Sequence, residues 1–262
     1  MFLGTIFLLS LTQGITEFLP ISSSGHLILF PFFIDLTYQG KTFDVVLHFG
    51  SLLGVIFYLK KDIIKILNDM NSKERFSSQG FKIMTSIFFA TLPVIVVGYL
   101  FNFYEIKLIK LIQVIGWTTL IFGIILGIAD KIKIERRSFP RLKDSIIIGL
   151  LQAISIIPGV SRSGIVITTG RFLGYNRIQS SKFSLLLSIP VIFAAMSLKF
   201  LDSLSVDSIT FSLDLLVGFF LSTIFSFLTI KLFMSYIEKA SLQIFVIYRI
   251  ILGFIILYFA YS

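Results

Sequence analysis

The chain reads as an all-α polytopic membrane protein, an inverted-topology repeat of six transmembrane helices plus two re-entrant helix hairpins. Three observations predict it. First, the residues are 56% hydrophobic and mean hydropathy is +0.95, more apolar surface than a water-soluble domain needs. Second, apolar runs of span length alternate with short basic segments. Third, one polar pattern occurs twice: Gln13, Ile15, Ser22, Ser24 and Gly25 align without a gap on Gln152, Ile154, Ser161, Ser163 and Gly164, 139 residues later. The same numbers exclude other classes. The net charge of +9 comes from cations clustered between apolar segments, which is membrane topology patterning and not a nucleic-acid surface. With no cysteine there is neither a disulfide framework nor thiol chemistry. The first Lys or Arg is Lys41, so the N-terminus lacks the basic region of a cleavable signal peptide.

The elements follow in order. Residues 2–18 are apolar, but Pro20, three serines and Gly25 interrupt them before a second apolar piece, 27–36. Ten helical residues reach only about 15 Å, half of a hydrocarbon core of roughly 30 Å. The two pieces, about 2–36, therefore predict a re-entrant hairpin, whose non-helical tip must be buried in protein or line a wet cavity. Spans are expected at about 42–59, 83–101 (with a kink at Pro93) and 111–128, closing a first repeat over 1–128. A polar loop, 60–82, separates the first two spans. After a basic linker, 129–144, the pattern restarts. Residues 145–173 form a second hairpin broken at Pro158-Gly159-Val160-Ser161-Arg162-Ser163-Gly164, and spans follow at about 183–199, 212–234 and 242–261, giving a second repeat over 145–262.

An odd number of spans per half inverts the two halves. The charges agree: segments 60–82, 129–145, 171–182 and 231–241 fall on one side and hold 17 of the 23 Lys and Arg. The other side has Lys41, Lys107, Lys110 and Lys199, together with Asp202, Asp207 and Asp214. The positive-inside rule makes the first side cytoplasmic, and inverted repeats with broken helices build sites near the midplane.

Ionisable groups inside a membrane are read as functional because each costs about 2.5–3.5 kcal/mol or more at the centre. Glu17 lies four residues after Gln13, on the same helical face. Ser22, Ser23, Ser24, Gly25 and His26 follow it. In the second copy Glu17 is replaced by Ile156, Ser23 by Arg162 and His26 by Ile165. One half thus carries acid and base, the other a fixed positive charge. Ser24-Gly25 and Ser163-Gly164 each open a short helix, whose N-terminus suits anions, and Arg162 adds a planar fork for phosphate oxygens. His26 can carry a proton near neutrality. The inventory fits phosphoryl transfer, where positioning and charge neutralisation dominate. Plainer roles compete: serines satisfying backbone groups at the break, Arg162 clamping carbonyls or pairing with Glu17, and His26 capping its helix. His48, one turn beyond Asp44, reads as structural, Asp44 as a rim residue, and Arg249 as a packing or carbonyl-bonding residue of the last span.

These residues resemble the bacitracin-resistance family of bacterial undecaprenyl-diphosphate phosphatases. The matching pieces are Gln13 with Glu17, E-F-L-P-I-S-S-S-G-H from Glu17 to His26, P-G-V-S-R-S-G from Pro158 to Gly164, K-T-F-D-V-V from Lys41 and I-Y-R-I-I from Ile247. The resemblance covers essentially the whole chain. It implies hydrolysis of a polyprenyl diphosphate to the monophosphate and inorganic phosphate, recycling the lipid carrier of the cell wall, in the bacterial plasma membrane with the site opening outward. It implies a divalent cation, Mg²⁺ or Ca²⁺, here expected on Glu17 and Gln13. By position it makes Glu17, Ser23, His26 and Arg162 catalytic. It puts Ser161 and Ser163 in the phosphate-binding loop, which Gln13, Ser22, Ser24, Gly25, Gly159, Gly164 and Thr168 complete. A position often Thr in the family is Val166 here; either Thr168 substitutes or that hydroxyl is dispensable. Ser23 activated by Glu17 or His26, His26 itself and a metal-bound water are all open as attacking groups, Ser23 with His26 assisting being preferred. Expected partners are the lipid substrate, membrane lipids and a second copy in a homodimer, with no nucleic acid. The competing function is polyprenyl-phosphate transport; an ion channel is disfavoured because charged residues do not recur as a pore-lining series.

Overall fold

The computed structural model of the chain describes residues 3–23, 25–26, 40–103, 111–132, 141–204 and 212–262. Among these residues every regular element is helical. The helices are α1 (Leu3–Thr16), α2 (Lys41–Tyr58), α3 (Lys60–Met70), α4 (Gln79–Phe103), α5 (Ile112–Asp130), α6 (Leu142–Gln152), α7 (Arg162–Phe172), α8 (Arg177–Leu204), α9 (Leu213–Lys239) and α10 (Gln243–Tyr261), with a 3₁₀ turn, Ala153–Ile156, after α6. Ser24, the apolar piece 27–36, the segment 104–110, residues 133–140 of the basic linker and Asp207 lie outside the described residues.

Five of the helices, α4, α5, α8, α9 and α10, are long and apolar enough to cross a membrane, and α2 with α3 makes a sixth if that bent pair is one span. The chain is therefore a multi-pass membrane protein. Most elements fall where the apolar runs predicted them, but their ends run further. α8 begins at Arg177, six residues before the expected span, and α9 ends at Lys239, five residues after it. Hydropathy marks only the apolar part of a helix, whereas the backbone ladder continues into polar sequence. α4 and α8 also continue through Pro93 and Pro190. The expected polar loop 60–82 contains α3, turned 70° from α2. Its sequence K-K-D-I-I-K-I-L-N-D-M buries Ile66 and exposes Lys60 and Lys61, an amphipathic pattern. Asp62 pairs with Lys182 of α8 at 2.6 Å, and Asp69 Oδ2 accepts from the Gly80 N–H at the start of α4.

Small residues let the helices approach closely, as membrane packing requires. α2 lies along α9, where Ser222 Oγ donates to the Leu47 carbonyl at 2.7 Å and Thr223 Oγ1 to that of Gly50 at 3.0 Å. A Cβ on Gly54 would sit 2.8 Å from Ser226 Cβ. Gly116, Gly123 and Gly127 on α5 likewise receive Leu257, Arg249 and Val246 of α10. The contacts cross between halves: α1 packs on α9 and α6 on α4, while α2 packs on α9 and α8 on α4. The short helices α1 and α6 thus lean on the second long helix of the opposite half of the chain, and the two breaks that follow them meet inside the bundle.

Candidate active site

The two breaks share one backbone feature. Ser22 and Ser161 are the non-glycine residues with positive φ among the described residues, 74° and 72°. Left-handed backbone strains an ordinary residue by about 1–2 kcal/mol. Serine offsets that by capping: Ser22 Oγ accepts from the Gly25 N–H at 3.3 Å and Ser161 Oγ from the Gly164 N–H at 3.1 Å. The tips are then tied together. Ser163 Oγ donates to the Leu19 carbonyl at 2.7 Å and lies 3.2 Å from Ser161 Oγ. Arg249, fully buried, donates from Nη1 to Pro20 O (3.3 Å), from Nη2 to Gly159 O (2.8 Å) and Val160 O (3.1 Å), and from Nε to Thr119 O (3.2 Å). Its carbonyl-bonding role was legible in sequence; that it clamps both tips was not. Gly159, at φ 90°, packs against Thr118 Oγ1, so a Cβ has no room there.

Glu17 sits where the tips meet. Its Oε1 is 2.9 Å from Arg162 Nη2, an ion pair across the two halves. Its Oε2 accepts from Ser23 Oγ at 2.8 Å and from Gln13 Nε2 at 3.0 Å. His48 Nε2 lies 3.6 Å from the same oxygen. Arg162 also donates from Nη1 to the Ser184 carbonyl at 3.3 Å and lies 5.9 Å from the Phe18 ring centroid. These bonds engage two of the five guanidinium donors. A buried carboxylate and guanidinium with a hydroxyl on the acid make an arrangement for abstracting a proton beside a bound anion.

His26 is oriented differently from the sequence expectation of a base beside Ser23. Its Nδ1 lies 2.7 Å from the Ser22 carbonyl, which can only accept, so Nδ1 carries the proton; Nε2 of the neutral ring then accepts from Tyr248 Oη at 2.5 Å. The serine is held by Glu17 and the histidine by Tyr248 of α10.

The family model for bacitracin resistance protein BacA matches residues 6–255. The chain belongs to the BacA family. It is 41% identical to an undecaprenyl-diphosphatase of Campylobacter concisus (strain 13826), over 97% of both chains. It is 39% identical to one of Jannaschia sp. (strain CCS1) over the full length of both, and 38% to one of Pelagibacter ubique (strain HTCC1062) over 98% of this chain and 97% of the relative.

Within this BacA fold, Gln13, Glu17, Ser22, Ser23, Gly25, Gly159, Ser161, Arg162, Ser163 and Gly164 converge on one place through the bonds above, and His26 lies at its edge. Thr168 does not join them through any bond described above. It is buried on α7, six residues beyond Arg162 or about 9 Å along the axis. Val166 is packed in the main apolar core. His48 and Ser51 join the site although the sequence pointed to a structural histidine. Ser51 Oγ lies 3.4 Å from Gln13 Nε2, and the i, i+3 spacing of these two polar residues in an apolar helix was the available signal. Tyr248 lay inside the matching I-Y-R-I-I piece without drawing attention.

The donor set fits an oxygen-seeking divalent cation. Gln13 Oε1 is buried without a hydrogen-bond partner, while its amide nitrogen rests on Glu17. A carboxylate and an unpartnered carboxamide oxygen are ligands of the type Mg²⁺ and Ca²⁺ take. Among the described residues no cluster of three or more His, Cys, Asp or Glu holds a metal alone, so phosphate oxygens and water must supply the rest. Gln152 also leaves its Oε1 unpartnered, but Ile156 stands where Glu17 would.

Proposed function

We propose that this protein hydrolyses undecaprenyl diphosphate to undecaprenyl phosphate and inorganic phosphate. The reaction recycles the lipid carrier of peptidoglycan synthesis in the bacterial plasma membrane and confers resistance to bacitracin. The observation that carries the reading is the Ser23 hydroxyl at 2.8 Å from a carboxylate whose other oxygen pairs with Arg162 at 2.9 Å, in a chain related along its length to undecaprenyl-diphosphatases. A transporter needs an anion cradle but no hydroxyl held on a base.

The lipid tail lies between helices and the diphosphate enters between the two tips. Arg162 directs its remaining donors at the terminal phosphate, with the backbone N–H groups that follow Ser22 and Ser161. Glu17 Oε2 takes the Ser23 proton, and Ser23 Oγ attacks the terminal phosphorus in line. The bond from that phosphorus to the bridging oxygen breaks, and the lipid monophosphate leaves with the electron pair. Glu17 passes that proton to the departing lipid phosphate and is a carboxylate again; it then deprotonates a water that attacks the phosphoserine phosphorus, the bond from phosphorus to Ser23 Oγ breaks, and Ser23 Oγ takes the proton back from Glu17 as phosphate leaves. His26, whose Nε2 accepts from Tyr248 Oη, orients that hydroxyl at the edge of the site. A Mg²⁺ or Ca²⁺ held by Glu17 and Gln13 Oε1 supplies charge neutralisation on the diphosphate when bound.

The reading includes six spans and two re-entrant hairpins in inverted repeats, with the site opening to the outer face. Its support is the charge asymmetry, the matched φ values at Ser22 and Ser161 and the crossed helix contacts. One chain carries the whole proposed site, so a homodimer would pair outside it; native mass spectrometry reads that directly. The function itself is tested by phosphate release from a C55 prenyl diphosphate with Mg²⁺ or Ca²⁺ and then chelator. Metal-dependent release is expected. Well-folded protein that moves polyprenyl phosphate across vesicles without releasing phosphate would turn the site residues into binding groups.

A further inference from the structure

Two side chains of α2, His48 and Ser51, stand against the Gln13–Glu17 pair, and the steps of hydrolysis use neither. His48 Nδ1 lies 2.7 Å from the Asp44 carbonyl. A carbonyl only accepts, so Nδ1 carries the proton. The ring then turns Nε2 to Glu17 Oε2, 3.6 Å away. That is longer than a hydrogen bond, whereas Arg162 closes to 2.9 Å on the other oxygen of the same carboxylate. Ser51, one turn further along α2, fixes the Gln13 amide. Its Oγ donates to the His48 carbonyl at 2.8 Å, so toward Gln13 it can only accept, from Nε2 at 3.4 Å. Glu17 Oε2 accepts from the same amide nitrogen at 3.0 Å. Both neighbours of that nitrogen are acceptors, which leaves Gln13 Oε1 as the oxygen that is buried without a partner.

A histidine that gives one ring N–H to a backbone carbonyl and turns its other nitrogen to a carboxylate is oriented as metal-binding histidines are. Ligands about 2.1 Å from one ion stand roughly 3.0–3.5 Å apart at angles between right and tetrahedral, so a pair at 3.6 Å needs little closing. The second repeat supplies the contrast. F-S-L-L-L-S-I-P from Phe183 echoes F-D-V-V-L-H-F-G from Phe43, which puts Ser188 at the place of His48 and Val191 at that of Ser51. Ile156 stands at the place of Glu17. The Gln152 amide, with its own unpartnered Oε1, meets the Ala90 carbonyl at 3.5 Å instead. The imidazole and the hydroxyl of α2 are thus missing from the half that lacks the acid. We propose that His48 Nε2 is a third protein ligand of the divalent cation, beside Glu17 and Gln13 Oε1, a step that rests on the reading of those two as the cation site. Mg²⁺ and Ca²⁺ take oxygen, whereas an imidazole nitrogen favours first-row transition metals, so His48 shifts the site toward an ion such as Mn²⁺.

The chain has two histidines, His26 and His48, so tag-free protein gives a clean test. Purified in detergent, it is loaded with Mn²⁺, alone and with a methylene-bridged prenyl bisphosphonate that cannot be hydrolysed. Pulsed electron paramagnetic resonance then reads nitrogen bound to the metal. Imidazole modulation is expected, and in the unsubstituted chain it should change when histidine is supplied as the ¹⁵N isotope. His48→Gln should abolish the modulation and lower Mn²⁺ affinity at least tenfold, with Ca²⁺ affinity changed less than threefold. His26→Gln should keep it, because His26 Nε2 is taken by Tyr248. Bound Mn²⁺ without histidine nitrogen, modulation that survives His48→Gln, or no bound Mn²⁺ under either condition would overturn the proposal. Phosphate release by the same protein would then leave the phosphatase reading standing. Histidine-ligated Mn²⁺ in protein that releases no phosphate would keep the ligand and overturn that reading instead.

Discussion

Arg249 gives the most quantitative expectation. Its guanidinium donates to four carbonyls: Thr119 on α5, Gly159 and Val160 in the second break, and Pro20 in the first. Arg249→Met keeps the length of the side chain and removes every donor. Each buried carbonyl left without its partner costs about 1–3 kcal/mol. Water reaching the outer carbonyls recovers part of this, so the total loss is about 4–6 kcal/mol, near the value for breaking a buried ionic contact. For a chain of this size about 2–4 °C accompanies each kcal/mol, so the thermal midpoint in detergent should fall by roughly 10–20 °C. Arg249→Lys keeps charge and three donors on a shorter stem and should fall between. Well below both midpoints, phosphate release by Arg249→Met should also drop at least tenfold, because the clamp sets the distance between Ser23 and Arg162. A midpoint within 2 °C of wild type for Arg249→Met would refute the clamp.

Three further substitutions separate roles within the site. Arg162→Lys keeps the charge but cannot reach Glu17 and the Ser184 carbonyl at once, so kcat/KM should fall at least 100-fold, about 2.7 kcal/mol; a change under threefold would mean that the guanidinium fork is not used. Tyr248→Phe keeps the ring against His26 and removes the Oη–Nε2 bond. It should lower kcat about tenfold, roughly 1.4 kcal/mol, with KM unchanged, and an unaltered kcat would show that the Tyr248–His26 bond plays no part in turnover. Thr168→Ala should leave turnover nearly unchanged because Thr168 is buried along α7. A loss above about 100-fold would show that it replaces the hydroxyl missing at Val166.

Much of this arrangement was legible because membranes penalise exceptions. A carboxylate, an arginine and paired Ser-Gly breaks stand out in apolar sequence, and the gap-free repeat aligned them. The pairing of Glu17 with Arg162 could be suspected because each half carried what the other lacked. Other features left no such trace. α3 is half polar, and only its 3.6-residue pattern separates it from the loop it resembles. The true ends of α8 and α9 lie in polar sequence where hydropathy is silent. His48 and Tyr248 look like ordinary members of their helices; they reach the site only because the glycine and serine contacts between α2 and α9, and the glycines of α5 beneath α10, set which faces turn inward. Adjacency in sequence leaves both Glu17 and His26 open as the partner of Ser23, and only the structure gives the partners of the His26 ring, the Ser22 carbonyl and Tyr248.

The central claim is that the Glu17 carboxylate activates an oxygen for attack on a prenyl diphosphate. The most direct test is Glu17→Gln, which keeps the size and one acceptor oxygen but removes the base. Phosphate release from C55 prenyl diphosphate, measured well below the variant's thermal midpoint, should fall by about 1,000-fold or more, near 4 kcal/mol of barrier, in protein that elutes like wild type. Release within tenfold of wild type by such a folded variant would contradict the account and move the chemistry away from Glu17.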